Sequence, residues 1–275
     1  MGFQIQVLKT QRLKYYNMID SWAIDNADKL WNPPDKSGTK LSWDLLKQIS
    51  AIYAGAKVEN SIEPSENFSA AYHTPITGDL EFLIARTLYY YGNPVEGVNA
   101  NENLGWAVHL RRQQKKKGMM LAPDIRIERQ GRTIGIIEIK ARVGWMQAFF
   151  SKARLEEDIA QGKGNSRELI GKAQAQLEKY IDGYDFGHLK TERMFMLIPS
   201  LEAAHRKKRT RETFKVFKRT FVEHSGLKEK NLVVLTKDLN YDAGMLSKSS
   251  GKAQLANPDE VTGDFEKMVS LISKN

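Results

Sequence analysis

From Pro123 onward the chain alternates. In "PDIRIER" (123–129), Ile125 and Ile127 fall on one side of an extended strand and Asp124, Arg126 and Glu128 on the other, because strand side chains change faces at every residue. "TIGIIEIKA" (133–141) is more apolar, with Ile134, Ile136, Ile137 and Ile139, yet it places Glu138 and Lys140 two residues apart and so on one face. The pattern predicts one core face and one charged face. "RQGR" between the two runs contains the glycine of a hairpin loop.

The same pattern predicts the surrounding elements. The first ~60 residues read as helical, broken at "NPPDKSGTK", and 61–75 reads as loop. "GDLEFLIARTLYYYG" repeats its apolar positions at helical spacing, with Thr77 as its expected cap and Gly92 at its end. Strands are expected at "GWAVHLR" (105–111), "RMFMLIP" (193–199) and "NLVVLT" (231–236). Helices are expected at about 145–159, over "SRELIGKAQAQLEKYIDG" (166–183), from Leu201 to His224, and at the end of the chain. Helices before, between and after mixed strands imply an α/β architecture built on a mixed sheet.

Composition narrows the chemistry. The 275 residues are 41% hydrophobic, ordinary for a globular chain, and no apolar run approaches the ~20 residues of a membrane helix. A soluble protein without a leader segment, and no membrane partner, is expected. With no cysteine, thiolate metal sites and cysteine nucleophiles are excluded, and the five histidines (73, 109, 188, 205, 224) show neither HxxxH nor HxH spacing. The formal charge of +9 is clustered in "RRQQKKK" (111–117) and "HRKKRTRETFKVFKR" (205–219), as suits a polyanion or else a solvated helix face or flexible loop.

The hairpin decides what the acids can do. A three-residue loop, 130–132, sets Asp124 opposite Glu138, with Cβ atoms roughly 4.5–5.5 Å apart. A two-residue loop sets Asp124 against Ile137 and sends the carboxylates to opposite faces, so their meeting requires the odd-length loop or a bulge. Two adjacent acids repel unless a cation sits between them, and a hard oxygen-ligated ion such as Mg²⁺ both supplies that charge and accepts phosphate oxygens. Lys140 on the same face is then suited to orient a water and offset charge in a phosphodiester transition state.

Pro123-Asp124 followed by Glu138-Ile139-Lys140 resembles the signature of the PD-(D/E)XK nuclease superfamily, which includes most Type II restriction endonucleases and the nuclease domains of RecB-like recombination enzymes. The resemblance implies a restriction-endonuclease-like core of a helix, three antiparallel strands, a helix and a further strand, flanked by helices. Residues 1–75 would form a helical accessory region, 76–240 the catalytic core, and 241–275 a C-terminal loop and helix serving oligomerisation. It implies Asp124 and Glu138 as Mg²⁺ ligands, Lys140 as the catalytic amine and Glu81, on the first core helix, as a further catalytic carboxylate.

Gln176 and Tyr180, four apart on one helix face, resemble the "QxxxY" element of the RecB-like branch and would contact the site or the DNA backbone. Arg167-Glu168 is similar to the base-reading pair of enzymes that cut CCGG-containing sites, although Leu169 stands where a second arginine is expected and Gln176 where that branch has a carboxylate. An arginine can bond guanine O6 and N7, and a glutamate can accept from cytosine N4. The expected function is a Type II restriction endonuclease, Mg²⁺-dependent and acting on double-stranded DNA. It would work in a prokaryotic cytoplasm as a homodimer, or as a tetramer or higher assembly bridging two sites. A RecB-like repair nuclease, with Tyr89, Tyr90, Tyr91 and Trp106 as stacking residues, and a noncatalytic DNA-binding protein stand as alternatives.

Overall fold

The structure is a computed structural model that describes residues 17–26, 45–46, 48–49, 76–96, 102–111, 114–116, 119–139, 193–200, 228–236 and 262–274. Residues 17–26, 45–46 and 48–49 are helical. They precede helix α1 (Ile76–Gly92) and strands β1 (Trp106–Leu110), β2 (Gln114–Lys116), β3 (Met119–Leu121), β4 (Ile125–Arg129) and β5 (Arg132–Ile139). Strands β6 (Met194–Ser200) and β7 (Leu232–Thr236) and helix α2 (Asp264–Ser273) follow. Five strands form one sheet in the order β1-β4-β5-β6-β7, and β2 pairs with β3 in a separate antiparallel ribbon. The β1–β4 and β4–β5 pairs are antiparallel, whereas β5–β6 and β6–β7 are parallel. The fold is thus α/β with a mixed sheet.

Helix α1 buries Leu80, Leu83, Ile84, Leu88 and Tyr91, a spacing of three and four that keeps one stripe against the sheet. It meets Ile125, Ile127, Ile137 and Ile139 of the sheet, together with Phe265, Met268, Val269 and Ile272 of α2. Ile19, Leu45, Leu46 and Ile49 of the leading helical segments join the same core. Burying a side chain of this kind contributes about 1.5–3 kcal/mol each. The start of α2 is tied to β7, because the Thr262 N–H donates to the Leu235 carbonyl at 2.9 Å and the Thr262 hydroxyl donates to the Val234 carbonyl. Asn231, just before β7, donates to the Met194 carbonyl at 2.8 Å and so aligns the ends of the two parallel strands.

Three expectations need correction. Helix α1 begins at Ile76, so Thr77 lies inside its first turn and is not the cap. The face of β5 opposite the apolar core is also covered: Ile136, Met194, Met196, Ile198, Leu232 and Val234 are buried on it, and Glu138 and Arg126 are 1% and 5% exposed. The sheet is a middle layer, as parallel strands generally require. Finally, part of "RRQQKKK" is a strand, with Gln114 opposite Leu121 and Lys116 opposite Met119. The helices expected at 145–159, 166–183 and 201–224 lie outside the described residues.

Among the described residues no helix is long and apolar enough to cross a membrane. Tyr91 and Trp106 are core residues with ring centroids 5.2 Å apart and are not available to stack on a base, while Tyr89 is 37% exposed. Trp106 packs against the end of α1 so closely that a Cβ built on Gly92 would fall 2.5 Å from its Cγ. The Gly92 carbonyl also accepts the N–H groups of Leu104 and Gly105 at 3.0 and 3.1 Å. Gly92→Ala is therefore expected to destabilise the fold by about 1–3 kcal/mol, the usual size for overpacking. Urea unfolding would measure this, and an unchanged midpoint would refute the close contact.

Candidate functional site

The turn between β4 and β5 has two residues, not three. Arg129 pairs with Arg132, and Gln130 and Gly131 have φ of 51° and 72°, both in the left-handed region that a type I′ hairpin turn demands. With no further change this turn would set Asp124 against Ile137. The ladder instead shifts between Ile127 and Glu128: Glu128 pairs with Thr133, but Ile127 pairs with Gly135. Ile134 is the extra residue of a β-bulge. Beyond it Ile125 pairs with Ile137, and the register carried one residue further sets Asp124 opposite Glu138. The odd-length loop is corrected, and the bulge, the other route by which the acids can meet, is the one the chain takes.

The bulge also accounts for burial along β5. Ile134 joins the same core cluster as Ile137 and Ile139, which strict alternation would forbid.

Asp124 is held by its surroundings. Its Oδ2 accepts the Ile139 N–H at 2.8 Å, and its carbonyl accepts the Arg111 N–H at 3.0 Å. Glu138 is buried beside it at 1% exposure. Glu81 comes from the second turn of α1 and is wholly buried, not the exposed first-turn acid that a helix dipole would favour.

Arg111, in the "RRQQKKK" run, joins them. Its Nη2 donates to Glu81 Oε1, and its Nε lies 3.9 Å from Asp124 Oδ1. Its pKa is raised above the ordinary arginine value, first by the hydrogen bond to Glu81, against a smaller opposing effect of burial, and then by the charges of Glu81, Asp124 and Glu138. In the sequence Arg111 both ends the expected strand 105–111 and opens a basic run, and only the pairing of β1 with β4 links it to the acids. Leu110 pairs with Ile125, so one more residue along both strands sets Arg111 opposite Asp124, which is itself opposite Glu138.

Farther along the same pair of strands, His109 Nε2 and Glu128 Oε2 are 2.9 Å apart, and Arg126 Nε lies 3.2 Å from Glu128 Oε1. This second network fixes polar side chains on the covered face.

The structure thus brings Asp124, Glu138 and Glu81 together around Arg111. Lys140, Arg167, Glu168, Gln176 and Tyr180 lie outside the described residues. Among the described residues no group of three or more His, Cys, Asp or Glu side chains forms a ready-made metal cage. The donors at hand are all carboxylate oxygens, with Asp124 and Glu138 at cross-strand spacing. Such a set fits a hard divalent ion that completes its shell with water or phosphate oxygens. Comparison with protein-family models, with curated proteins and with solved structures gives no match for this chain.

Glu81 and Asp124 share one guanidinium here, and the charge of Glu138 also acts on it, so neutralising one acid without changing its shape relieves repulsion. Glu138→Gln is expected to leave the fold intact and to raise the melting temperature of the metal-free protein by about 2–4 °C, the size of a roughly 1 kcal/mol effect. Thermal unfolding in EDTA measures this; a clear fall would make Glu138 a structural ion-pair member and not a site residue.

Proposed function

We propose that the chain is a Mg²⁺-dependent endonuclease that hydrolyses phosphodiester bonds in double-stranded DNA, of the PD-(D/E)XK type and closest in kind to the Type II restriction enzymes. The observation that carries this reading is the bulge-set register. The hairpin ladder shifts by one residue, and carried one step past Ile125–Ile137 that register sets Asp124 opposite Glu138 and not Ile137. Such an arrangement is costly to a fold and useful to a metal-dependent reaction.

The element order supports the reading. Helix α1, the antiparallel strands β1, β4 and β5 and the parallel strand β6 occur in the sequence order expected of that superfamily's core, with the β2–β3 ribbon inserted after β1 and the expected helix between β5 and β6 outside the described residues. The finer identity of the fold as restriction-endonuclease-like is part of the proposal.

Asp124 and Glu138 would hold the ion. Asp124 is pre-oriented by the Ile139 N–H on its Oδ2, which leaves acceptor sites for a ligand. Bound there, a divalent ion supplies Lewis-acid polarisation of the scissile phosphate and lowers the pKa of a water. Lys140, two residues after Glu138, would orient that water and offset negative charge at the transferring phosphorus. Glu81 would act through Arg111, on which it is anchored. Arg167 and Glu168 would read bases, and Gln176 and Tyr180 would contact the backbone. A palindromic duplex site would be met by a homodimer or a pair of dimers. The net charge of +9 favours the polyanionic substrate.

The test is incubation of the full chain with supercoiled and linear DNA in Mg²⁺ or EDTA. Discrete fragments only in Mg²⁺ are expected, and Asp124→Ala and Lys140→Ala should each lower cleavage by at least about a thousandfold while leaving the far-ultraviolet circular dichroism unchanged. End degradation or a smear would point to a RecB-like repair nuclease. Salt-sensitive binding to varied unmethylated DNA without any cutting would leave a DNA-binding protein as the better account.

A further inference from the structure

We infer that Arg111 is a built-in counter-cation of the acidic cluster, which yields its place beside Asp124 when a divalent cation binds between Asp124 and Glu138. The inference rests on the metal-dependent reading proposed above.

Glu81 and Glu138 are buried, and Asp124 is largely so, with its side chain 15% exposed. Acids buried side by side, as Glu81 and Asp124 are, need positive charge nearby at all times, and before a metal arrives it comes from the chain. Arg111 supplies it, with one end of its fork on Glu81 and the other facing Asp124.

The two ends of this ion pair differ in freedom. The Glu81 side chain is 1% exposed and cannot leave, whereas that of Arg111 is 54% exposed and can turn into water with little desolvation to reverse. Its backbone is fixed meanwhile. Arg111 has φ of 44°, an uncommon left-handed conformation for a non-glycine residue, and its N–H is bonded to the Asp124 carbonyl. Movement is therefore confined to the side-chain torsions.

A guanidinium and a divalent ion on the same carboxylates repel, so each weakens the other's hold by the same factor. Arg111 thus keeps the site folded before metal binds, at the expense of metal affinity.

The experiment is calorimetric titration of the full chain with MnCl₂, in the wild type and in Arg111→Gln and Arg111→Lys, with Asp124→Asn defining the part of the signal that belongs to this site. Arg111→Gln should bind Mn²⁺ about tenfold more tightly than the wild type, a coupling of ordinary size. Its melting temperature in EDTA should fall and be restored by Mn²⁺. Arg111→Lys keeps the charge but loses the two-ended fork, so it should fold normally and bind Mn²⁺ about threefold more tightly. If Arg111→Gln does not fold, the Lys variant decides alone. Equal or weaker Mn²⁺ binding by the folded variants, with Asp124-dependent binding in the wild type, would overturn the inference and leave the proposed function standing. No Asp124-dependent binding in any form would overturn both.

Discussion

Left without a partner between Thr133 and Gly135, Ile134 adds one residue to β5 and none to β4, and the position of every later side chain follows from that inequality. The left-handed pair Gln130-Gly131 makes a two-residue turn, whose twist matches that of the strands it joins. A turn of this kind and a regular ladder cannot both be kept if Asp124 is to face Glu138. The chain keeps the turn and breaks the ladder. In exchange for one interrupted backbone pairing, Ile134 enters the apolar core and the two carboxylates come onto one face.

That face is covered, which changes the meaning of the charges on it. A carboxylate at the surface is neutral to the fold, but Glu81 and Glu138 at 0% and 1% exposure have lost nearly all their water. Replacing buried ionic groups with apolar ones of similar size is often neutral or stabilising, so such a cluster is poorly explained as a device for holding α1 to the sheet. The apolar stripe of α1 already does that, from Leu80 to Tyr91. What the ion pairs add is position. Glu81 on a helix and Asp124 at a strand end are held to one another through a side chain that begins at the last turn out of β1. The polar groups of Arg126, His109 and Glu128 farther along the face constrain the same two strands from the other end.

Much of this was legible in the sequence, and the limits have physical causes. The strands at 125–129 and 132–139 were readable from alternating or β-branched residues, those at 106–110, 194–200 and 232–236 from short apolar runs, and α1 because its apolar residues recur every three or four. The two acids could be paired on paper, but only as one of two outcomes, since a bulge leaves no mark in composition. The covered second face was misread because Glu138 and Lys140 suggested solvent, whereas Met194, Met196 and Ile198 on the neighbouring strand were already apolar enough to suggest burial on both sides. Gln114–Lys116 escaped notice because charged residues in a two-stranded ribbon show neither period. Arg111 was hidden by its company: within a run of basic residues, only counting back along two ladders singles it out.

The arrangement of Arg111, Asp124 and Glu138 across three neighbouring strands is fixed by counting residues rather than by any contact between the strand ends and the turn. This has a consequence for how such a chain can change length. Residues can be gained or lost in the β4–β5 hairpin in pairs, one on each strand, because the sums that match Asp124 to Glu138 are then preserved. A single insertion between Ile125 and Arg129, or within Trp106–Leu110, turns one of the three groups to the opposite side of the sheet. Descendants of this sequence are therefore free to differ in the reach of the hairpin while remaining bound to its parity.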